Sequence, residues 1–274
     1  MQIRRVAGAL GAEIDGIDLR EPPTPGQAAA VEAALLEHQV IFFRDQPLSP
    51  AQYLAFARSQ GEPVEYPFVR GLDGCPLIIE VKKLEHERSN FGGVWHSDTT
   101  YLEEPPMGSM LLARELPPYG GDTLFASQYA AYEALSPPLQ RLLDGLTGIS
   151  SSAKADVSRT REDRIRSDGR ADAAAELRAE HPLVRTHPRT GRKALYLNVA
   201  HTAGIRELSQ PEGDALLRFL FEHQVKPEFT CRFVWRPHSL AFWDNRCVLH
   251  NPVNDYHGFR RVMHRITLRG DRPR

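Results

Sequence analysis

In His96-Ser97-Asp98 an imidazole and a carboxylate stand two residues apart. On extended backbone, residues i and i+2 project to the same side, so the pair could hold one metal ion. Alone the tripeptide is weak, because a chain with 11 His carries about 0.6 His-x-Asp by chance, and a turn-capping pair explains it as well. A second anchor is His250, in Trp243-Asp-Asn-Arg-Cys-Val-Leu-His250-Asn-Pro, which follows a strand-like run and precedes a proline turn near a sheet end. An isolated histidine is more often structural or solvated, and what shifts the balance is the next strand. In Arg261-Val-Met-His-Arg265-Ile-Thr-Leu-Arg269, Arg261, Met263, Arg265 and Thr267 share one face, with Val262, His264, Ile266 and Leu268 on the other. Arginines on a strand are ordinarily solvated. Inside a barrel mouth they would need an anionic partner and would pair bidentately with a carboxylate. Two His and one Asp leave three positions open on an iron, the arrangement of non-haem Fe(II) oxygenases, and a nearby arginine suits an oxo-acid cosubstrate. A zinc hydrolase could use the same three ligands, but it gives Arg261 no task.

Short strands and helices must position these groups. Residues 2–20 read as short strands ending at Pro22-Pro23. A helix follows, capped by Thr24 with Pro25 in its first turn, and then a buried strand over 39–43. Ser49-Pro50 opens a second helix, which Gly61 closes. Residues 76–82, 110–114 and 123–126 read as strands, 128–146 as a helix breakable at Pro137-Pro138, 195–198 as a strand, 211–223 as a helix, and 229–235 and 239–243 as strands. The segment 153–180 is rich in Arg, Asp and Ala with few large apolar residues, and is expected to be a surface excursion or lid. Strands at both ends with helices between them predict one domain over 1–274: a curled antiparallel β-core with helices packed outside.

With 41% hydrophobic and 25% charged residues, the chain is of globular type. A net charge of -1 gives no field to gather nucleic acid or anionic lipid, so any anionic partner must be met locally. Cys75, Cys231 and Cys247 form no C-x-x-C and are odd in number, which argues against a disulfide framework or thiolate zinc site and fits a reducing cytoplasm. After Arg4 and Arg5 the apolar stretch 6–12 is cut off by Glu13 and Asp15, too short for a signal peptide. No run approaches the roughly 18 apolar residues of a membrane helix.

Across nearly its whole length the sequence resembles the Fe(II)/2-oxoglutarate-dependent dioxygenases of the taurine and dichlorophenoxyacetate dioxygenase type. The resemblance rests on His38-Gln-Val-Ile-Phe-Phe-Arg-Asp45, Trp95-His-Ser-Asp-Thr99, Leu116-Pro-Pro-Tyr-Gly-Gly-Asp-Thr123, His181-Pro-Leu-Val-Arg-Thr-His-Pro188, Trp243-Asp-Asn-Arg246 and Arg260-Arg-Val-Met-His-Arg265, in this order. It implies a double-stranded β-helix (jelly-roll, cupin-like) core with flanking α-helices. It also implies iron on His96, Asp98 and His250, and 2-oxoglutarate held by Arg261 with help from Thr123. O2 would be the oxidant, and succinate and CO2 would form as a substrate C–H bond is hydroxylated. A hydroxyl set beside a heteroatom would collapse with cleavage of a C–S, C–O or C–N bond. Related iron halogenases lack the carboxylate of Asp98, so its presence points to hydroxylation. Family members are commonly dimers or tetramers, and a homo-oligomer is implied.

Arg265 matches the arginine that meets the sulfonate in taurine-type members, which implies a small anionic substrate, with Tyr66 and Thr99 as further contacts. The rest of that pocket departs from the taurine pattern. Tyr66 stands where those enzymes have a His, Val69 where they have a Tyr, Gly92 where they have an Asn, and Ser152 where they have an aromatic residue. Unpaired polar atoms of taurine would cost roughly 1–3 kcal/mol each. The expected substrate is therefore a bulkier anion, fitting the space vacated by Val69, Gly92 and Ser152: an alkyl sulfate, alkylsulfonate or aryloxy acid. Two other readings are a taurine dioxygenase proper, and an iron- or anion-binding sensor without activity.

Overall fold

The computed structural model describes residues 1–67, 69–90, 92–154 and 176–274. Strands β1 (Gln2–Arg5) and β2 (Ala12–Asp15) lead into helix α1 (Pro25–His38), strand β3 (Val40–Phe43) and helix α2 (Pro50–Gln60). Both helices start with a capping box. Thr24 and Gln27, then Ser49 and Gln52, exchange side-chain and backbone hydrogen bonds and so satisfy N–H groups that a helix leaves open. Next come β4 (Pro63–Val64), β5 (Ile79–Lys83), β6 (Gly108–Glu115) and β7 (Thr123–Ser127). The helix expected over 128–146 is two pieces, α3 (Gln128–Glu133) and α4 (Pro137–Leu143), since Pro137 and Pro138 fit a first turn but not a helix interior.

Four strands of the next stretch were not foreseen: β8 (Thr147–Ser151), β9 (Arg178–Pro182), β10 (Val184–Thr186) and, after β11 (Lys193–Leu195), β12 (Thr202–Ile205). They are short, and β9 carries Arg, Glu and His rather than β-branched residues. The expected excursion at 153–180 falls mainly on 155–175, outside the described residues. Its last part is instead sheet, since Arg178 onwards pairs with β8. The strand expected at 195–198 ends at Leu195. Helix α5 (Gln210–His223) and strands β13 (Thr230–Phe233), β14 (Leu240–Asp244), β15 (Val248–Pro252) and β16 (Arg261–Leu268) complete the described chain.

Two sheets form the jelly roll. The larger runs β1-β2-β3-β14-β6-β16-β4 with β5 also on β16, and the smaller runs β13-β7-β15. Strand alternation sorts residues into layers. On β14, Leu240 and Phe242 turn outward to Val31 and Leu35 of α1 and Tyr53 and Phe56 of α2. Ala241 and Trp243 turn inward to Phe125, Phe233 and Val248 of the smaller sheet. The parity that buries Phe125 and Val248 sends Thr123 and His250 into the same interior, and the parity of Met263 sends Arg261 and Arg265 there. A third cluster joins α3, α4 and α5 to β10–β12. Among the described residues no helix is long and apolar enough to cross a membrane.

His38, His181 and His264 sit in this framework with pKa values held below the ordinary one by burial. The folded state therefore prefers them neutral, and below about 6.5, the unfolded value, the unfolded chain takes up protons first. Stability is expected to fall as pH drops through that point, seen as a lower thermal midpoint of the metal-free protein at pH 5.5 than at pH 7.5. An unchanged midpoint would contradict it.

Candidate active site

His96 precedes β6 and forms a two-residue antiparallel bridge with His250 on β15. The backbone N–H of each donates to the carbonyl of the other, at 3.0 and 2.8 Å. This pairing brings the imidazole centroids to 4.1 Å, and Asp98 Oδ1 lies 3.7 Å from His96 Nε2 and 3.8 Å from His250 Nε2. One ligand atom from each residue falls within 4.8 Å of the others, close enough to converge on one ion. His96 Nδ1 lies 2.7 Å from the Val94 carbonyl, which can only accept, so the proton sits on Nδ1 and the Nε2 lone pair faces the site. The set fits a divalent metal that takes imidazole and carboxylate donors.

The charges are arranged to keep these donors available. Burial holds His96 below its ordinary pKa and His250 well below it, the latter with the added effect of the neighbouring imidazole, so both are neutral near pH 7. Burial alone would raise Asp98. The Arg265 guanidinium and the Ser109 hydroxyl outweigh it and hold the carboxyl well below the carboxylate range. Ser109 Oγ donates to Asp98 Oδ2 at 2.6 Å, and Arg265 Nη2 lies 2.7 Å from the same oxygen. Ser109 in turn accepts from Asn245 Nδ2 at 3.0 Å, and Asn245 Oδ1 accepts from Trp243 Nε1 at 2.9 Å. Gly92 closes the other side. With φ +70°, it sits where a Cβ would be 2.8 Å from His96 Cε1. Gly92→Ala is therefore expected to tilt His96 and weaken metal affinity about tenfold or more with little change in far-UV circular dichroism. Metal binding within twofold of wild type would contradict it.

Arg261 lies in the same cavity, 5% exposed, with Nε and Nη2 lacking any hydrogen-bond partner among the described residues. Burial pushes its pKa down. Its guanidinium carbon is 5.7 Å from the Trp235 ring centroid, and Trp235 Nε1 donates to Thr123 Oγ1 at 3.0 Å. That leaves Thr123 its own hydroxyl hydrogen to donate beside the arginine. The turn before β7 makes room, since a Cβ on Gly121, at φ +69°, would sit 3.2 Å from Arg261 Cδ. A buried unpaired guanidinium next to a free hydroxyl donor fits a carboxylate ligand.

Arg265 is already paired with Asp98, but its Nε has no hydrogen-bond partner among the described residues, and its guanidinium lies 5.2 Å over the ring of Tyr66. Tyr66 also packs with Ile79 and Tyr101. Thr99 is buried at φ +42°, and its carbonyl accepts from Leu102 N. Neither Tyr66 nor Thr99 is among the residues lining the triad cavity. Gly92 does not vacate space as the sequence suggested, because the His96 ring fills it. The Ser152 hydroxyl is engaged by Leu177 N.

Sequence reasoning missed Ser109, Trp235, Lys83 and His201. His201 accompanies Asn198 and Thr100 in a hydrogen-bonded group, with its ring edge toward His96 at 6.2 Å. Its position in Asn198-Val-Ala-His201 carried no signal by itself. A second set, His187, Asp244 and Cys247, has metal-ligand spacing but no vacancy. His187 Nδ1 accepts from Arg189 N and Thr190 N, its Nε2 donates to Asp244, and Asp244 takes three further bonds from Arg246. Burial and Asp244 push the Cys247 thiol well up, so that set is a closed structural brace.

A jelly roll with two neutral imidazoles and one carboxylate converging in a buried cavity defines the class of mononuclear metal-dependent oxygenases. Residues 2–267 match the taurine catabolism dioxygenase TauD, TfdA family, and the chain belongs to that family. It is 35% identical over 280 residues to an alpha-ketoglutarate-dependent sulfate ester dioxygenase of Pseudomonas putida, covering 100% of this chain and 91% of the relative. A crystal structure of a taurine dioxygenase from Burkholderia xenovorans superposes with TM-score 0.84 at 37% identity, covering 99% of this chain and 92% of that one. The structure of AAD-2 in complex with Mn(II) and N-oxalylglycine gives TM-score 0.82 at 33% identity, covering 99% and 98%. The protein is a 2-oxoglutarate-dependent dioxygenase.

Proposed function

We propose that the enzyme hydroxylates a small organic anion of the sulfate ester, sulfonate or aryloxy acid type, next to the heteroatom, using Fe(II) on His96, Asp98 and His250. The observation that carries this reading is the buried cavity that His96 and His250 of the convergent triad share with the unpaired Arg261. When bound there, iron(II) and 2-oxoglutarate supply the activation of O2, with succinate and CO2 released as the substrate C–H bond is hydroxylated. Arg261 and the Thr123 hydroxyl hold the distal carboxylate of the cosubstrate and so orient its oxo-acid end toward the triad. The open edge of Arg265 receives the substrate's anion while the Tyr66 ring supports its guanidinium from one face. Trp243, Leu111 and Pro252 wall the cavity and limit water around the reacting atoms. Of the substrate types, a sulfate ester is favoured by the Pseudomonas putida relative. A soluble cytoplasmic homo-oligomer acting on a diffusible metabolite, apart from nucleic acid and membranes, completes this reading.

Succinate formation with a panel of anions tests it. A medium-chain alkyl sulfate is expected to exceed taurine in kcat/KM by about tenfold or more, because among the described residues the cavity lining carries cations and no carboxylate for taurine's ammonium. Aldehyde and sulfate should appear in equal amounts with succinate. Best turnover of taurine would overturn the substrate assignment. Trp235→Phe, which removes the donor that sets Thr123, is expected to raise the KM for 2-oxoglutarate about three- to tenfold with kcat nearly unchanged. An unchanged KM would show that Thr123 needs no such support.

A further inference from the structure

Lys83 ends β5 as the direct cross-strand partner of Arg261 on β16, which puts both side chains on one face of the sheet. It is 2% exposed, and its Nζ has no hydrogen-bond partner among the described residues. A lysine so placed is rare without an anion to compensate it. The ammonium stands 4.3 Å over the ring of Tyr256. That ring is fixed in turn, because the Tyr256 hydroxyl donates to Asn90 Oδ1 at 2.8 Å and the Asn90 amide donates to the carbonyls of Pro252 and Val253. Lys83, Tyr256, Arg261 and Thr123 line one cavity with His96 and His250.

The acidic groups nearby are committed elsewhere. Asp122 is bound to Arg232 at 2.6 Å, and Glu87, which acts on Lys83 through space, accepts from Leu84 N. Burial disfavours both cations, Glu87 and Asp122 act on them only through space, and Lys83 Nζ and Arg261 Nε and Nη2 have no hydrogen-bond partner among the described residues, so the site is preorganised for a carboxylate that meets both. Arg265 lines the same cavity but is already held by Asp98. Arg265 pairs with Ile79, four residues back along β5, or roughly 13 Å at strand rise.

We propose that Lys83 is a second cationic contact for the distal carboxylate of 2-oxoglutarate, beside Arg261. This rests on the cosubstrate reading above and adds a discriminating role to it. Arg261 grips the carboxylate, and Lys83 restricts the cavity to oxo acids that carry a second negative charge.

The test is anaerobic calorimetric titration of the Fe(II)-loaded full chain with 2-oxoglutarate and with 2-oxovalerate, which has the same chain length but no distal carboxylate. Lys83→Met and Lys83→Gln both keep the apolar stem, so the measurement survives if one of them does not fold. Each is expected to weaken 2-oxoglutarate binding about ten- to a hundredfold, to change 2-oxovalerate binding by less than about twofold, and to leave the organic substrate's KM at saturating 2-oxoglutarate unchanged. Affinity for 2-oxoglutarate within threefold of wild type, equal losses for both oxo acids, or an effect confined to the organic substrate's KM would each overturn the proposal. A wild-type enzyme that binds neither oxo acid would instead overturn the cosubstrate reading, and the proposal with it.

Discussion

Replacement of His250 by alanine is expected to lower turnover by at least about a thousandfold, beyond the ten- to hundredfold loss typical of residues that only orient a metal ligand. The fold should persist. Asp98 keeps its bonds from Ser109 and Arg265, and Phe125 keeps its packing with Phe42 and Trp243, so the deletion removes a donor without leaving the carboxylate stranded. Two measurements separate loss of metal from loss of structure: far-UV circular dichroism of the apoprotein, and the visible band that the iron and 2-oxoglutarate chelate develops under anaerobic titration. A folded variant that has lost the band and the activity is the expected outcome. Retention of a tenth of wild-type turnover would remove His250 from the metal site.

The second large effect is expected from Arg261→Met. Arg261 is buried in the unliganded protein with two nitrogens unpaired among the described residues, so its loss relieves a desolvated charge in the free enzyme and strands a carboxylate in the complex. Both changes weaken binding. Stranding one partner of a buried pair costs about 3–5 kcal/mol, which corresponds to at least a hundredfold in the Kd of 2-oxoglutarate. The thermal midpoint of the free variant should hold or rise, whereas the upward shift that wild type shows with 2-oxoglutarate should vanish. A variant that binds 2-oxoglutarate like wild type would mean that Arg261 faces another ligand.

How much of this was legible in the sequence depended on whether the signal was local. Thr24-Pro25 and Ser49-Pro50 announce helix starts because a cap acts within one turn, and both helices begin there. The alternation of Arg261, Met263 and Arg265 places two guanidiniums with a buried methionine, which is how a basic strand could be read as lining an interior. The triad itself was found by motif order, with Asp98 and His250 joined only by the chain's return. What stayed hidden depends on contacts between distant segments. Ser109 reaches Asp98 only because β6 lies beside the loop of His96, and Lys83 matters only because β5 registers with β16. Gly92 looked like room for a larger substrate until the His96 ring was seen to occupy that space.

The reciprocal backbone bonds between His96 and His250 join two donors separated by more than half the chain. On the proposed ligand set, a partly unfolded molecule would therefore offer a metal only the adjacent His96 and Asp98, a two-point grip. With these ligands, the metal centre would thus exist only while the strands that wall its cavity are paired.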